Sequence, residues 1–177
     1  MNGTTDSQNG VDYMDLFILR HGKAGQSTGE PDDNMRALTP AGRKEIKDIA
    51  RWLKKEKVRF DLIATSPLIR ARETAGIVAR TLDQDGQSVI WDDLAPGGDV
   101  DSICYHIAQS GNDAAILVVG HEPELSGLTG KIISRGGTAS LIFAKGGLAK
   151  IRDFSFDKQP AGILQWLLTA KQIQAMR

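Results

Sequence analysis

Apolar and polar positions along this chain recur with two periods, one suited to strands and one to helices. Leu16 to Leu19 is a short continuous apolar run, the pattern of a fully buried strand. A polar stretch from Gly22 to Leu38 follows, and Gly25, Gly29 and Pro31 mark it as a loop. Thr39-Pro40 then opens a helix: the threonine hydroxyl can cap free N–H groups, and proline is tolerated in the first turn. Ile46, Ile49, Ala50 and Leu53 recur at helical spacing, with Lys44, Lys47, Lys54 and Lys55 left to face water. Asp61 to Thr65 reads as the next strand. Ser66-Pro67 repeats the cap-and-proline start, for a helix running to about Leu82. A short strand at Ser88 to Trp91 precedes the turn "LAPGGD". Asp99 can cap the helix after it, which carries Val100, Ile103 and Ile107. Ala114 to Gly120 is apolar throughout, as in a central parallel strand covered on both faces. A helix with Leu125, Leu128, Ile132 and Ile133 on one face comes next.

Beyond Arg135 the pattern changes. "ASLIFAKGGLAKIRDFSF" reads as two strands joined through Gly146-Gly147 as a hairpin. "AGILQWLLTA" fits a further strand or a short helix. The order of elements predicts an α/β fold: a three-layer α/β/α sandwich whose central sheet is mostly parallel, with an antiparallel C-terminal portion.

Composition narrows the function. The 177 residues are 41% hydrophobic and 25% charged, as in a soluble globular protein of one domain. We expect residues 14–177 to form that domain and the polar stretch Met1 to Tyr13 to be a disordered tail. Lys plus Arg number 22, Asp plus Glu 22, so the formal net charge is zero. That removes any overall electrostatic case for nucleic acid or an anionic membrane as partner, and leaves room for a local basic pocket. No apolar stretch is long enough to span a bilayer, and the N-terminus lacks the regions of a signal peptide, so a cytoplasmic location is expected. The single cysteine, Cys104, cannot form an intramolecular disulfide and reads as a small buried helix residue.

Ligands of open α/β sheets bind outside the carboxyl ends of the strands. The first strand delivers Arg20 and His21 there. The second delivers Arg70 and Arg72, in the first turns of its helix. The strand ending at Gly120 delivers His121 and Glu122. Guanidinium and imidazole groups from separate strands thus meet one edge of the sheet. This suits phosphoryl transfer, where positioning and electrostatic stabilisation supply most of the catalysis. Guanidinium forks match phosphate oxygens, and an unprotonated histidine can attack phosphorus and hold it covalently. On the residues alone, either histidine could be the one that attacks.

The residues carry a resemblance as well. "LRHG" at Leu19 to Gly22, "TSPLIRARETA" and "VVGHEPELSGL" resemble, in order, the motifs of the histidine phosphatase (phosphoglycerate mutase-like) superfamily. Over Asp15 to Leu168 the chain is most similar to the short SixA-type phosphohistidine phosphatase branch, supported by "RALTPAGR" and by "KGGLAKI" with "GILQWLL". The resemblance implies a phosphoglycerate mutase-like fold and a phosphatase with no cofactor and no metal. His21 would be the phosphorylated nucleophile, Arg20 and Arg70 would grip the phosphate, and His121 would complete the pocket. The expected substrate is phosphohistidine on a protein, or a small phosphorylated metabolite.

Other readings stand beside this one. A general acid is a role open to Asp99 or Glu122, although Asp99 reads first as a helix N-cap. Lys23 either lines the pocket and adds positive potential, binding substrate, or points to solvent. Arg72 reads as solvated or paired with Glu73 or another carboxylate, because two arginines within one turn cannot point the same way. His106 reads as an exposed or satisfied helix residue, and "EPDD" (Glu30 to Asp33) as a solvated loop that could shape the pocket rim. The ligand spacing of a metal site is missing, and arginines would oppose a cation. A phosphoglycerate mutase-like phosphotransferase and a non-catalytic phosphoprotein-binding module are the rivals. The short chain and want of an obvious acid count against the first, and the presence of His21 with both arginines against the second.

Overall fold

The computed structural model describes residues 14–26, 32–86, 88–111 and 114–176. The expected N-terminal tail, Met1 to Tyr13, lies outside them. Alternate residues of strand β1 (Met14–Arg20) divide the core in two. Phe17 and Leu19 pack on one face of the sheet, Leu16 and Ile18 on the other, as the two-residue period of a strand requires. Strand β2 (Leu62–Thr65), the short β3 (Ser88–Ile90) and β4 (Ala115–Gly120) run parallel to β1. Strands β5 (Leu148–Phe156) and β6 (Pro160–Leu168) are antiparallel. The order across the sheet is β3-β2-β4-β1-β5-β6. β4 therefore lies between β2 and β1 and is buried on both faces, which is why its sequence is apolar throughout.

Helices α1 (Pro40–Lys55), α2 (Ile69–Thr81) and α5 (Ala170–Ala175) cover the face that holds Phe17, Leu19, Leu117 and Val119. Helices α3 (Val100–Gln109) and α4 (Glu124–Ile133) cover the other, where Ile103, Ile107, Leu125 and Leu128 meet Ile18 and Val118. This is the three-layer α/β sandwich the pattern predicts. Thr39 caps α1 as expected, accepting from Gly42 N–H at 3.0 Å. Cys104 is fully buried in the second core, and burial pushes its thiol up to about 12. Among the described residues no helix is long and apolar enough to cross a membrane.

Two local expectations need correction. "ASLIFA" is not the first arm of a hairpin: β5 begins at Leu148 and its hairpin partner is β6, on its C-terminal side. In "LIF" only Phe143 is fully buried, while Ile142 stays 81% exposed. The segment is an irregular connection anchored by Phe143, with Leu141 partly buried against the same core. Ser66 is not the cap of α2 either. The cap position is Leu68, and Ser66 stands at the exit of β2 with a different task.

Candidate active site

Three adjacent parallel strands end on neighbouring rungs. Arg20 of β1 pairs with Gly120 of β4, and Thr65 of β2 pairs with Val119. The next residues are His21, His121 and Ser66. His21 N–H still donates to Gly120 O at 3.1 Å, and Ser66 N–H to Val119 O at 3.0 Å. Side chains leaving neighbouring strands start about 4.8 Å apart. The ring centroids of His21 and His121 are 4.9 Å apart.

Each imidazole has its tautomer set by one partner. His21 Nδ1 lies 2.7 Å from Gly22 O, and a carbonyl only accepts, so Nδ1 carries the proton and Nε2 keeps its lone pair. His121 Nε2 lies 2.8 Å from Ser66 Oγ. Ser66 is fully buried and its oxygen already accepts from Leu68 N–H at 3.3 Å. Its own proton therefore goes to His121 Nε2, which leaves Nδ1–H as the donor. Burial is the main reason His21 falls from its ordinary 6.5 to about 4. The Gly22 bond opposes the fall, and the charges of Arg70, Arg20 and Lys145 deepen it. His121 falls to about 3, chiefly through burial and then through His21 and Arg70. Both rings are neutral at pH 7.

The two arginines are held from behind. Arg20 Nη1 donates to Phe143 O at 2.6 Å. Arg70 Nη1 donates to Asp33 O at 2.7 Å, and Nη2 to Asp33 Oδ2 at 3.0 Å. Burial lowers the Arg70 pKa, and Asp33 opposes that. Arg20 Nε, Arg70 Nε and His121 Nδ1 are among the buried side-chain atoms that have no hydrogen-bond partner among the described residues. Buried polar atoms are almost always satisfied. Three orphaned donors beside an imidazole with a free lone pair form a cup for an anion with several acceptor oxygens.

The fold holds this cup closed at its base. A Cβ on Gly22 would lie 2.8 Å from Ile46 Cγ1, so only glycine lets the chain after His21 press against α1. Gly22 N–H donates to Thr74 Oγ1 at 3.2 Å, and that hydroxyl donates to Arg70 O at 2.8 Å, linking the segment after His21 to the one that carries Arg70. The turn at Gly146, with φ of 69°, closes over the end of β1. Gly146 N–H donates to His21 O, and Arg20 N–H to Gly147 O.

The structure thus brings Arg20, His21, Arg70 and His121 together. It does not bring in Lys23, whose Nζ pairs with Glu45 Oε1 at 2.6 Å and whose side chain is 55% exposed. Lys145 is the lysine whose charge reaches His21. Asp99 caps α3, accepting from Asp101 N–H and Ser102 N–H. Those bonds, led by the one from the Ser102 hydroxyl, hold its carboxyl below the usual range, the wrong direction for an acid at neutral pH. Glu122 follows His121 directly, and its Oε2 accepts from Ser126 Oγ at 2.5 Å. Arg72 does not pair with Glu73, which is taken by Arg43 at 2.5 Å. His106 packs against Trp91, with ring centroids 5.2 Å apart. Asp33, read with its loop as solvated or rim-forming, is the partner of Arg70. Ser66, Thr74 and Lys145 are not singled out for the site by the sequence; for Ser66 the usable signal is its place as the first residue after a buried strand, as with His21.

Residues 16–95 match the family model of the histidine phosphatase superfamily (branch 1). The phosphohistidine phosphatase SixA of Escherichia coli (strain K12) is 28% identical over 158 residues, 88% of this chain and 94% of that one. A protein of Picosynechococcus sp. described as uncharacterized is 32% identical over 149 residues, 78% of this chain and 89% of its own. Among solved structures, the protein histidine phosphatase SixA complexed with tungstate superposes with a TM-score of 0.76 at 27% identity, covering 89% of this chain and 98% of that one. Motifs, fold and relatives agree: the chain belongs to the histidine phosphatase superfamily, in its SixA branch, and carries the hydrolase activity of that superfamily.

Proposed function

We propose that the protein hydrolyses phosphohistidine on a protein substrate, through a phosphate held covalently on His21 Nε2. The observation that carries this is the His21 ring, pinned by Gly22 O and neutral at pH 7, beside the three orphaned donors. The Nε2 lone pair attacks phosphorus while the P–N bond to the substrate imidazole breaks; that ring, its other nitrogen having taken a proton from solvent, leaves as neutral imidazole. Arg20 Nε, Arg70 Nε and His121 Nδ1 offer one donor to each equatorial oxygen of the transferring group. Water then attacks the phosphorus on His21, releasing inorganic phosphate and restoring the free ring.

Two further observations favour a P–N substrate over an ester. An alkoxide needs a strong acid to leave, whereas an imidazole is a far better leaving group. Of the carboxylates nearest the motifs, Asp99 is engaged as a cap and Asp33 between Arg70 and Arg36, while Glu122 accepts from Ser126 through Oε2 and keeps Oε1 buried without a partner among the described residues. The relatives named above whose printed descriptions give a substrate act on phosphohistidine or protein histidine.

The test is a panel of phosphohistidine peptides, sugar phosphates and aryl phosphates, assayed without added metal, with phosphoglycerate present as an acceptor in parallel. The phosphohistidine peptide is expected to give the highest kcat/KM, with label passing to water. Preferred turnover of a sugar phosphate, or transfer of label to phosphoglycerate, would overturn the substrate reading.

A further inference from the structure

A second concavity, of about 600 Å³, runs along α2 beside strand β3 and is separate from the cup. Thr65 and Ile69 line its near end. Each is one residue from a member of the site, Ser66 or Arg70. From there Arg72, Gly76 and Arg80 continue along one stripe of α2, and Ser88 and Ile90 of β3 form the facing wall.

The charge of this groove is not balanced from within. Its third arginine, Arg43, is paired with Glu73, and Glu73 Oε2 also accepts from Leu38 N–H at 2.7 Å. Among the described residues, the side chains of Arg72 and Arg80 have no ion pair or hydrogen bond. Most other cations here do, including Lys23, Arg36, Lys54, Arg70, Lys131 and Lys150. In a chain of zero net charge, two free guanidiniums in one groove are a local positive pole. Gly76 shapes it further. A Cβ there would meet Arg80 Nη1 at 3.2 Å, so the guanidinium folds back over the bare helix backbone. β3 adds an open edge, since it is the last strand of the sheet among the described residues. Its Val89 and Ile90 are 39% and 52% exposed, and such an edge is a place where an extended chain can lie.

We infer that this groove is a docking site for an acidic, extended segment of the phosphoprotein substrate, held by Arg72 and Arg80. The inference rests on the substrate reading of the preceding subsection. With the phosphorylated residue in the cup, the flanking chain enters past Thr65 and Ile69. Arg72 and Arg80 are eight residues apart, about 12 Å along a helix axis, and the backward fold of Arg80 shortens that reach. Carboxylates two to four positions apart on an extended chain are about 7–13 Å apart and span the pair. Apolar residues between them meet Ile69 and Ile90.

The experiment compares two fluorescent, unphosphorylated peptides of equal length by anisotropy, one alternating Asp with Val and one alternating Asn with Val. Wild-type protein is expected to bind the acidic peptide about tenfold more tightly at low salt, with the preference shrinking as salt rises. R72E/R80E should lose the preference, and R72Q/R80Q serves if charge reversal unfolds α2. R72K/R80K should keep most of it, and K47A/K55A on α1 all of it. A preference absent from the wild type, surviving R72Q/R80Q, or lost equally in K47A/K55A overturns the docking site. The same peptides carrying phosphohistidine separate the two ideas. Phosphate release at equal kcat/KM from both peptides sinks the docking and upholds the substrate. Arg72- and Arg80-dependent binding without any phosphate release upholds docking of the acidic segment and sinks the substrate.

Discussion

An imidazole attacks phosphorus only through an unprotonated nitrogen, and position 21 meets that demand twice over. Gly22 O takes the proton-bearing nitrogen, and burial holds the ring's pKa near 4. The acid limb of kcat/KM is therefore predicted near pH 4, measured from pH 3 to 8; a limb near 6.5 would mean an ordinary exposed imidazole does the work. Ser66 acts one step removed, as a positioning residue, by fixing the tautomer of His121. Ser66→Ala is predicted to lower kcat by about 10- to 100-fold. Nitrogen chemical shifts of His121 should then show a mixture of tautomers, and a single Nδ1–H form in the variant would contradict the role. Arg20, His21, Arg70 and His121 were legible because each sits in a short motif just past an apolar run. Ser66 was hidden because serine before proline also reads as a helix cap, and Asp33 because nothing in a loop's sequence says which arginine it faces.

At the level of elements, the site depends on how closely β1, α1 and α2 approach one another. Gly22 sits where a Cβ would strike Ile46, and its N–H is tied to Thr74 on α2. Gly22→Ala must move the carbonyl that sets the His21 tautomer. It is predicted to cost at least about 100-fold in kcat/KM, with a far-UV dichroism spectrum that stays that of the wild type. Asp99→Ala makes the opposite prediction, a lower Tm with kcat unchanged, because the carboxylate caps α3. A collapse of kcat in that variant would reinstate Asp99 as an acid. Strands and helices with a clear period were legible, from the apolar β4 to the Thr39 cap of α1. "LIF" misled because three apolar residues in a row fit a strand, while the fold buries Phe143 fully, Leu141 in part and leaves Ile142 exposed. The pairing of β5 with β1 is a long-range choice that no local period encodes.

For the molecule as a whole, two buried neutral histidines tie stability to pH. Unfolded, each ring takes a proton near 6.5; folded, only near 4 and 3. Within that window the unfolded chain holds more protons, so stability is full above pH 6.5 and falls as the pH drops toward 4. The loss amounts to something on the order of 3 kcal/mol per ring. Urea unfolding at pH 7 and 4.5 measures it, and His121→Asn should flatten the dependence; equal stability at both values would contradict the buried, neutral pair. Inorganic phosphate at pH 7 should raise Tm by filling the orphaned donors, and the same addition should do little for Arg70→Ala.

On this reading His21 Nε2 takes the phosphoryl group. Rapid alkaline quench during turnover of a phosphohistidine peptide, followed by mass spectrometry of the digested protein, tests it most directly. A base-stable, acid-labile phosphate on the Nε2 of His21 is the predicted result, absent from His21→Ala, which should also lose at least about a thousandfold in kcat. Phosphate found on His121, or full turnover by His21→Ala, would contradict the claim.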